Sequence, residues 1–422
     1  MQSIQSIWSI EYDMIYLAAC GVNRVMLSEQ FLTELKNKVD SNKTFETKNG
    51  QRLVYMDMLY YISRSHFLDT LVGSTLKQAG IHIPKKWVER IFKSVRKNLL
   101  FDAERKKLCD FMDSRGIWYM PLKGVILKDY YPAVGMRQMS DNDILFDDKF
   151  CYEIEEYMTS QGYEAVSVGV GNHDVYQKEP VLNFEMHRAL YGKAHDRNWE
   201  EYYRDVKKRL IRENDTSYGY YFSDEDFYVY ILCHAYKHYA GCGTGLRTLL
   251  DFYVYLLAKE PELDFAYIEK ECEVLGIGEF EKMSRSMCKK VFSIETARHY
   301  DAIDVIGEGE EYKHLERIFA DRLTTEELEM LSYYMSSGVY GTNYNFIFNM
   351  VRKKGRAGFL ISRIFMPLHE IKNLYPVLER APYLLPVCWV VRIVKMLLVK
   401  ERRNHVVGQL LEFLKVVKSK NI

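Results

Sequence analysis

Leu122-Lys123-Gly124, followed by Arg137-Gln138-Met139-Ser140-Asp141-Asn142-Asp143-Ile144-Leu145-Phe146, is the stretch that decides the fold. The residues before it, 117–122, are a short apolar run that reads as a buried strand, and the chain turns at Lys123-Gly124 into a helix. Residues 142–146 read as a second strand. Asp141 and Asp143 are two residues apart at its start, so both carboxylates leave one face. Carboxylates that close favour a shared divalent cation. An oxygen-only set suits Mg²⁺, which keeps waters and takes its other ligands from substrate phosphates, with Mn²⁺ as the alternative ion.

Alone, an Asp-x-Asp pair is also the pattern of a solvated turn. Two further features weigh against that reading. Lys123-Gly124 stands where a strand passes into a helix: glycine admits a phosphate, the first helical turn offers unpaired N–H groups, and lysine adds a cation. Residues 183–187, Asn-Phe-Glu-Met-His, alternate polar and apolar, so Asn183, Glu185 and His187 share a strand face and Glu185 can supply a third carboxylate.

Outward from this core, residues 1–97 carry apolar side chains at helical spacing and form a helical N-terminal region. Residues 98–200 form a compact α/β unit with a mixed sheet: a helix over 101–114, strands at 117–122 and 142–146, a helix capped by Asp147-Asp148 and ending at Gly162, then strands near 162–166 and 181–187. Helices return over 201–345. The clearest spans 226–240, with Ser223 as N-cap, Asp226 at N3 and Gly241 as a left-handed C-cap. Residues 346–422 are a basic amphipathic tail.

Formal charge is zero, with 58 Lys and Arg against 58 Asp and Glu, which argues against a dedicated nucleic-acid coat. The sum hides an asymmetry, because residues 351–422 hold 15 Lys and Arg against 4 Asp and Glu. An acidic body therefore carries a basic tail. Arg392 and Lys395 interrupt the apolar run 382–399, so it is not an integral membrane span; it packs on the body or docks on an anionic membrane surface or an RNA. Eight scattered cysteines without a CxxC pair read as reduced thiols, and no basic-then-apolar leader is visible at the start, which together predict a cytoplasmic protein.

Leu-Lys-Gly at 122–124, Tyr131-Pro132, Arg-x-Met-Ser-Asp-x-Asp-Ile-Leu over 137–145 and a carboxylate two residues before His187 together resemble the uncharacterised bacterial nucleotidyltransferase family of the DNA polymerase β superfamily. His234-Ala235-Tyr236-Lys237-His238, Gly245-Leu246-Arg247 and Asp251 are similar to that family's helical segment, and parts of the tail resemble some members. The resemblance implies an α+β fold, a polymerase β-like core with a small mixed sheet between N- and C-terminal helical regions. It also implies an enzyme that moves an NMP group from an NTP, ATP included, to a hydroxyl-bearing acceptor and releases pyrophosphate. By it, Asp141 and Asp143 hold Mg²⁺, Glu185 holds the catalytic ion and helps activate the acceptor, and Lys123-Gly124 forms the phosphate turn. Two positions depart from the superfamily pattern: Lys-Gly stands where Gly-Ser is usual, and Asn142 replaces an apolar residue.

Other candidates carry two readings each. Arg137 meets the triphosphate or fixes the turn by a salt bridge. His187 orients Glu185 or a substrate group. His234 and His238 extend an apolar helix stripe, and either bond within a helix interface, contact nucleotide or acceptor, or hold zinc. Arg247 contacts nucleotide or pairs with Asp251 four residues on. His173, with only a loop placement, is not assigned. The acceptor is a small molecule, a protein side chain or an RNA end. The rival to an enzyme is a nucleotide-binding or scaffold protein that keeps the fold without turnover; a third reading is a toxin-like transferase acting on tRNA.

Overall fold

The computed structural model describes residues 5–47, 50–192, 197–299, 319, 322–372, 374–398 and 400–418. The chain has an α+β fold. Its principal helices are α1 (Gln5–Asn23), α2 (Asp69–Gln78), α3 (Lys85–Arg115), α4 (Lys123–Leu127), α5 (Cys151–Ser160), α6 (Asp224–Tyr239), α7 (Leu246–Lys259), α8 (Gly278–Phe292), α9 (Asn343–Ile364), α10 (Leu385–Leu398) and α11 (Lys400–Lys418). The central sheet is built from β1 (Tyr119–Pro121), β2 (Asn142–Phe146), β3 (Glu164–Ser167), β4 (His173–Lys178) and β5 (Leu182–His187), in the order β1-β2-β5-β4-β3. Only β2 and β5 run parallel; the other neighbours are antiparallel.

Alternation along the strands divides the sheet's two faces. Ile144, Phe146, Tyr176, Phe184 and Met186 point to one side, where Leu108 and Met112 of α3 and Ile154 and Met158 of α5 cover them. The opposite side carries Asp143, Glu185 and His187 and turns toward the helical body. Asn142, the polar residue in an apolar position, is completely buried and satisfied: it donates to the Phe101 carbonyl at 3.2 Å and accepts from Arg105 at 3.0 Å. The substitution thus adds a polar tie to α3 without an unpaired group.

The 31-residue helix α3 runs unbroken through position 97, where the sequence pattern changes from the helical region to the core. Gly116 ends it at φ 69°, a left-handed conformation that costs glycine nothing. Helices before the sheet and helices after it share one hydrophobic cluster, in which Tyr16, Leu71 and Trp87 pack with Tyr228, Leu250 and Val291. Ser223 caps α6 through the Asp226 amide as the sequence predicts. Gly241, however, does not supply the left-handed turn; Gly243 does, at φ 92°, with its N–H bonded to the His238 carbonyl.

The loop 131–140 has no regular structure, and side chains hold it instead. Arg137 donates from Nε and Nη2 to the two oxygens of Asp251 on α7, each at 2.8 Å, and Tyr131 adds a third bond at 2.9 Å. Thr70 and Ser94 donate to the carbonyls of Met136 and Gly135, and Asn98 to that of Arg137. Gln138 bonds Asp69 and accepts from Arg90.

In the tail, α11 lies against α9, where Phe359 and Phe413 stack at 5.3 Å. Helix α10 buries Cys388 and Arg392 but leaves Val387, Val390, Val391, Val394 and Leu398 exposed along one stripe. No described helix is long and apolar enough to cross a membrane.

Losing one member of a buried ion pair strands the other charge, which costs about 3–5 kcal/mol. Asp251→Ala is therefore expected to lower stability by that amount in urea unfolding, and Arg137→Met with Asp251→Leu to recover most of it. A loss below about 1 kcal/mol for Asp251→Ala would remove the pair's structural role.

Candidate active site

Strand register brings the carboxylates together. In the parallel pair, Asp143 stands directly opposite Glu185, and Leu145 opposite His187. Asp141 immediately precedes β2 on the same face as Asp143. One oxygen from each of Asp141, Asp143 and Glu185 can be chosen so that all three lie within 4.8 Å of one another. Among the described residues, Asp143 Oδ1 is buried without a hydrogen-bond partner, which is the state of an oxygen left for a cation. Hard oxygen ligands in this number fit Mg²⁺ completed by water and phosphate, with Mn²⁺ close behind.

Electrostatics give the same picture. Burial, and then the nearby Asp143, push Asp141 up to about 6. Burial followed by Asp143 and Asp141 push Glu185 up to about 7. Burial opposes ionisation of Asp143 too, but the His187 ring and Lys123 hold its carboxyl below the usual range. Three carboxylates this close repel one another, and a divalent cation among them removes the repulsion.

The Lys123 turn is fastened to β2, since the Leu122 N–H donates to the Asp143 carbonyl at 2.9 Å. Lys123 Nζ lies 2.9 Å from His234 Nδ1. Burial lowers the lysine to about 8 against the pull of Asp143 and Asp141. Burial, then the lysine's charge, hold His234 far below its ordinary value, so the neutral ring accepts from the ammonium. Helix α4 is only five residues long. Gly124 is buried, and a Cβ there would stand 3.3 Å from Met139 and 3.4 Å from Arg137, so any larger residue would press on those two side chains.

Arg137 is engaged by Asp251 and by the Gly124 carbonyl at 3.3 Å, which places it behind the turn as a brace. Of the two readings of Arg247, the pair with Asp251 does not form: the side chain donates to the Gln138 carbonyl at 3.3 Å and lies 4.9 Å over the Phe67 ring. Arg137 has taken the carboxylate. His238 is exposed, unlike the buried stripe expected of it, and its ring centre is 4.8 Å from that of His234.

The residue missed in the sequence is His173. It opens β4, pairs with His187 across the β4–β5 hairpin and lies 3.7 Å from Glu185. The signal was present: a hairpin that pairs Lys178 with Leu182 necessarily pairs residue 173 with residue 187. Lys237 also lies in the field of Asp143 and Glu185, though burial lowers it more than they raise it.

A family model described as uncharacterised nucleotidyltransferase matches residues 54–293, more than half the chain and all of the elements just described. Comparisons with curated proteins and with solved structures found no match.

Because His234 is held neutral in the fold while an unfolded histidine titrates near 6.5, the unfolded chain binds more protons below that pH. Stability is therefore expected to fall as pH drops below about 6.5, by up to about 1.4 kcal/mol per unit for this group. Urea midpoints at pH 7 and pH 5.5 test it: the loss should be smaller in His234→Gln, and equal losses would refute the assignment.

Proposed function

Because the chain belongs to the family of uncharacterised nucleotidyltransferases, we propose that it transfers a nucleoside monophosphate from an NTP to a hydroxyl-bearing acceptor and releases pyrophosphate. The observation that carries this reading is the convergence of Asp141, Asp143 and Glu185 on one sheet face. In such a reaction the acceptor oxygen bonds to the α-phosphorus, the bond from that phosphorus to the bridging oxygen breaks, and pyrophosphate leaves.

Asp141, Asp143 and Glu185 are the residues that would hold Mg²⁺ or Mn²⁺. Bound there, a divalent ion supplies charge stabilisation to attacking and leaving oxygens and templates the triphosphate. Glu185, the most exposed of the three, helps deprotonate the acceptor hydroxyl. Lys123, kept in place by His234, offers its ammonium to the phosphates. Arg137 and Arg247 position the loop that leads into β2. Such an arrangement agrees with a polymerase β-like core. It favours an enzyme over a scaffold, since a scaffold has no need of three mutually repelling carboxylates.

The tail supports a second proposal, peripheral docking on an anionic membrane. The exposed stripe of α10 lies in a segment with a surplus of 11 positive charges. Beside it is a cavity of about 660 Å³ lined by apolar residues such as Ile364 and Leu410 together with Arg363, Arg392 and Lys395. Apolar insertion and attraction to anionic lipid act together on such a helix.

Asp143→Asn is expected to reduce pyrophosphate release from NTP and Mg²⁺ by at least about 100-fold, the scale of several kcal/mol of lost metal stabilisation. Unchanged release in the folded variant would end the catalytic assignment. For the tail, the full chain should sediment with phosphatidylserine vesicles and not with neutral ones. Val390→Asp with Val394→Asp should abolish this, and equal retention on both vesicle types would count against docking.

A further inference from the structure

We propose that His173, His187 and Glu185 form a second metal site beside the carboxylate cage, one that takes a single Zn²⁺-like ion and shares Glu185 with the cage. The antiparallel register sets His173 opposite His187, so both imidazoles leave the same face, with ring centres 5.0 Å apart. Glu185 lies two residues before His187 on that face. Its Oε2 is 3.7 Å from His173 Nε2 and 3.8 Å from His187 Nε2. One ligand atom from each of the three residues lies within 4.8 Å of the other two.

Distances discriminate between ions. A tetrahedral ion with bonds of about 2.0–2.1 Å sets ligand–ligand edges of roughly 3.3–3.4 Å. The two edges to Glu185 exceed that by about 0.4 Å, within reach of small rotations about χ1 and χ2. An octahedral Mg²⁺ needs edges of about 2.9–3.0 Å and prefers oxygen. Two imidazoles and a carboxylate suit zinc and its neighbours in the first transition row.

Three of the four ring nitrogens also lack a hydrogen-bond partner among the described residues. Both nitrogens of His187 and Nδ1 of His173 are buried and make no hydrogen bond among the described residues. Asp143 Oδ1 lies 3.5 Å from His187 Nε2, too far for a normal hydrogen bond, so the ring stands between two carboxylates. Three protein ligands with a fourth position open is the arrangement of zinc sites that bind a further group. Sharing Glu185 couples the two sites: an ion at the histidines draws that carboxylate away from the Asp141–Asp143 side. The inference adds to the nucleotidyl-transfer reading through Glu185 but needs neither NTP nor turnover.

The test uses the full chain stripped with a chelator, without nucleotide or Mg²⁺. Calorimetric titration with Zn²⁺ should show one ion per chain, and Co²⁺ should give the intense visible absorption of four-coordinate cobalt. His173→Gln should weaken Zn²⁺ binding by more than about 10-fold, beyond the lower end of what loss of a mere outer partner does. Asp141→Asn should leave the Zn²⁺ isotherm within about 3-fold of the parent, since that residue is no ligand here. Circular dichroism checks each variant's fold, and the part-exposed His173 is the substitution least able to disturb it. Absence of a Zn²⁺ isotherm, or one unchanged by His173→Gln and lost in Asp141→Asn, overturns the site. Missing pyrophosphate release with the expected Zn²⁺ isotherm fails the nucleotidyl-transfer reading alone; normal release with no Zn²⁺ binding fails this inference alone.

Discussion

Asp251 receives two hydrogen bonds from Arg137 and one from Tyr131, inside protein and away from water. Taking two charges into such a place is costly unless every lone pair finds a donor, and here the geometry is bidentate. The pair joins α7 of the helical body to an irregular loop, and that loop ends at Asp141. Arg137 also touches the Gly124 carbonyl, so one guanidinium fixes the relation between the lysine turn and the carboxylate strand. It shares that task with Thr70, Ser94, Asn98 and Gln138 and with the buried Met136 and Met139, because the loop that leads to Asp141 belongs to no element.

The site then has two kinds of support. Strand pairing fixes Asp143 and Glu185 to within the precision of a ladder, and a one-residue slip of either strand would send its carboxylate to the opposite face and part the two. Asn142 guards against that slip, since its amide is bonded to both Phe101 and Arg105 and cannot turn outward without losing both. Lys123 is held differently, by a neutral histidine that neither repels nor neutralises it. The charge thus remains available while its position is fixed.

Much of this was legible in the sequence. The strand 142–146 and the alternation over 183–187 follow from period two, and Ser223 as a cap follows from its side chain's reach. Tertiary competition was not legible. Arg247 and Asp251 have ideal spacing for a pair on one helix, yet Arg137, more than a hundred residues earlier, wins the carboxylate by bonding both of its oxygens at once. His173 was missed because strand β4 mixes His, Asp, Gln and Lys with apolar residues and lacks a clean pattern. Gly241 lost to Gly243 because two glycines stood near the helix end and local sequence does not choose between them.

Helix α1 gives the shared core a further meaning. Tyr12, Met14, Ile15, Tyr16 and Leu17 are buried in it, and Asn23 reaches the Phe292 carbonyl at 2.8 Å. The α1 residues all precede position 54, where the match to the family begins. Expressed alone, residues 54–293 would present to water the apolar surface that α1 now covers, and would aggregate or recruit a substitute helix. The stretch that inheritance keeps recognisable and the stretch that folds as one body are different lengths of this chain.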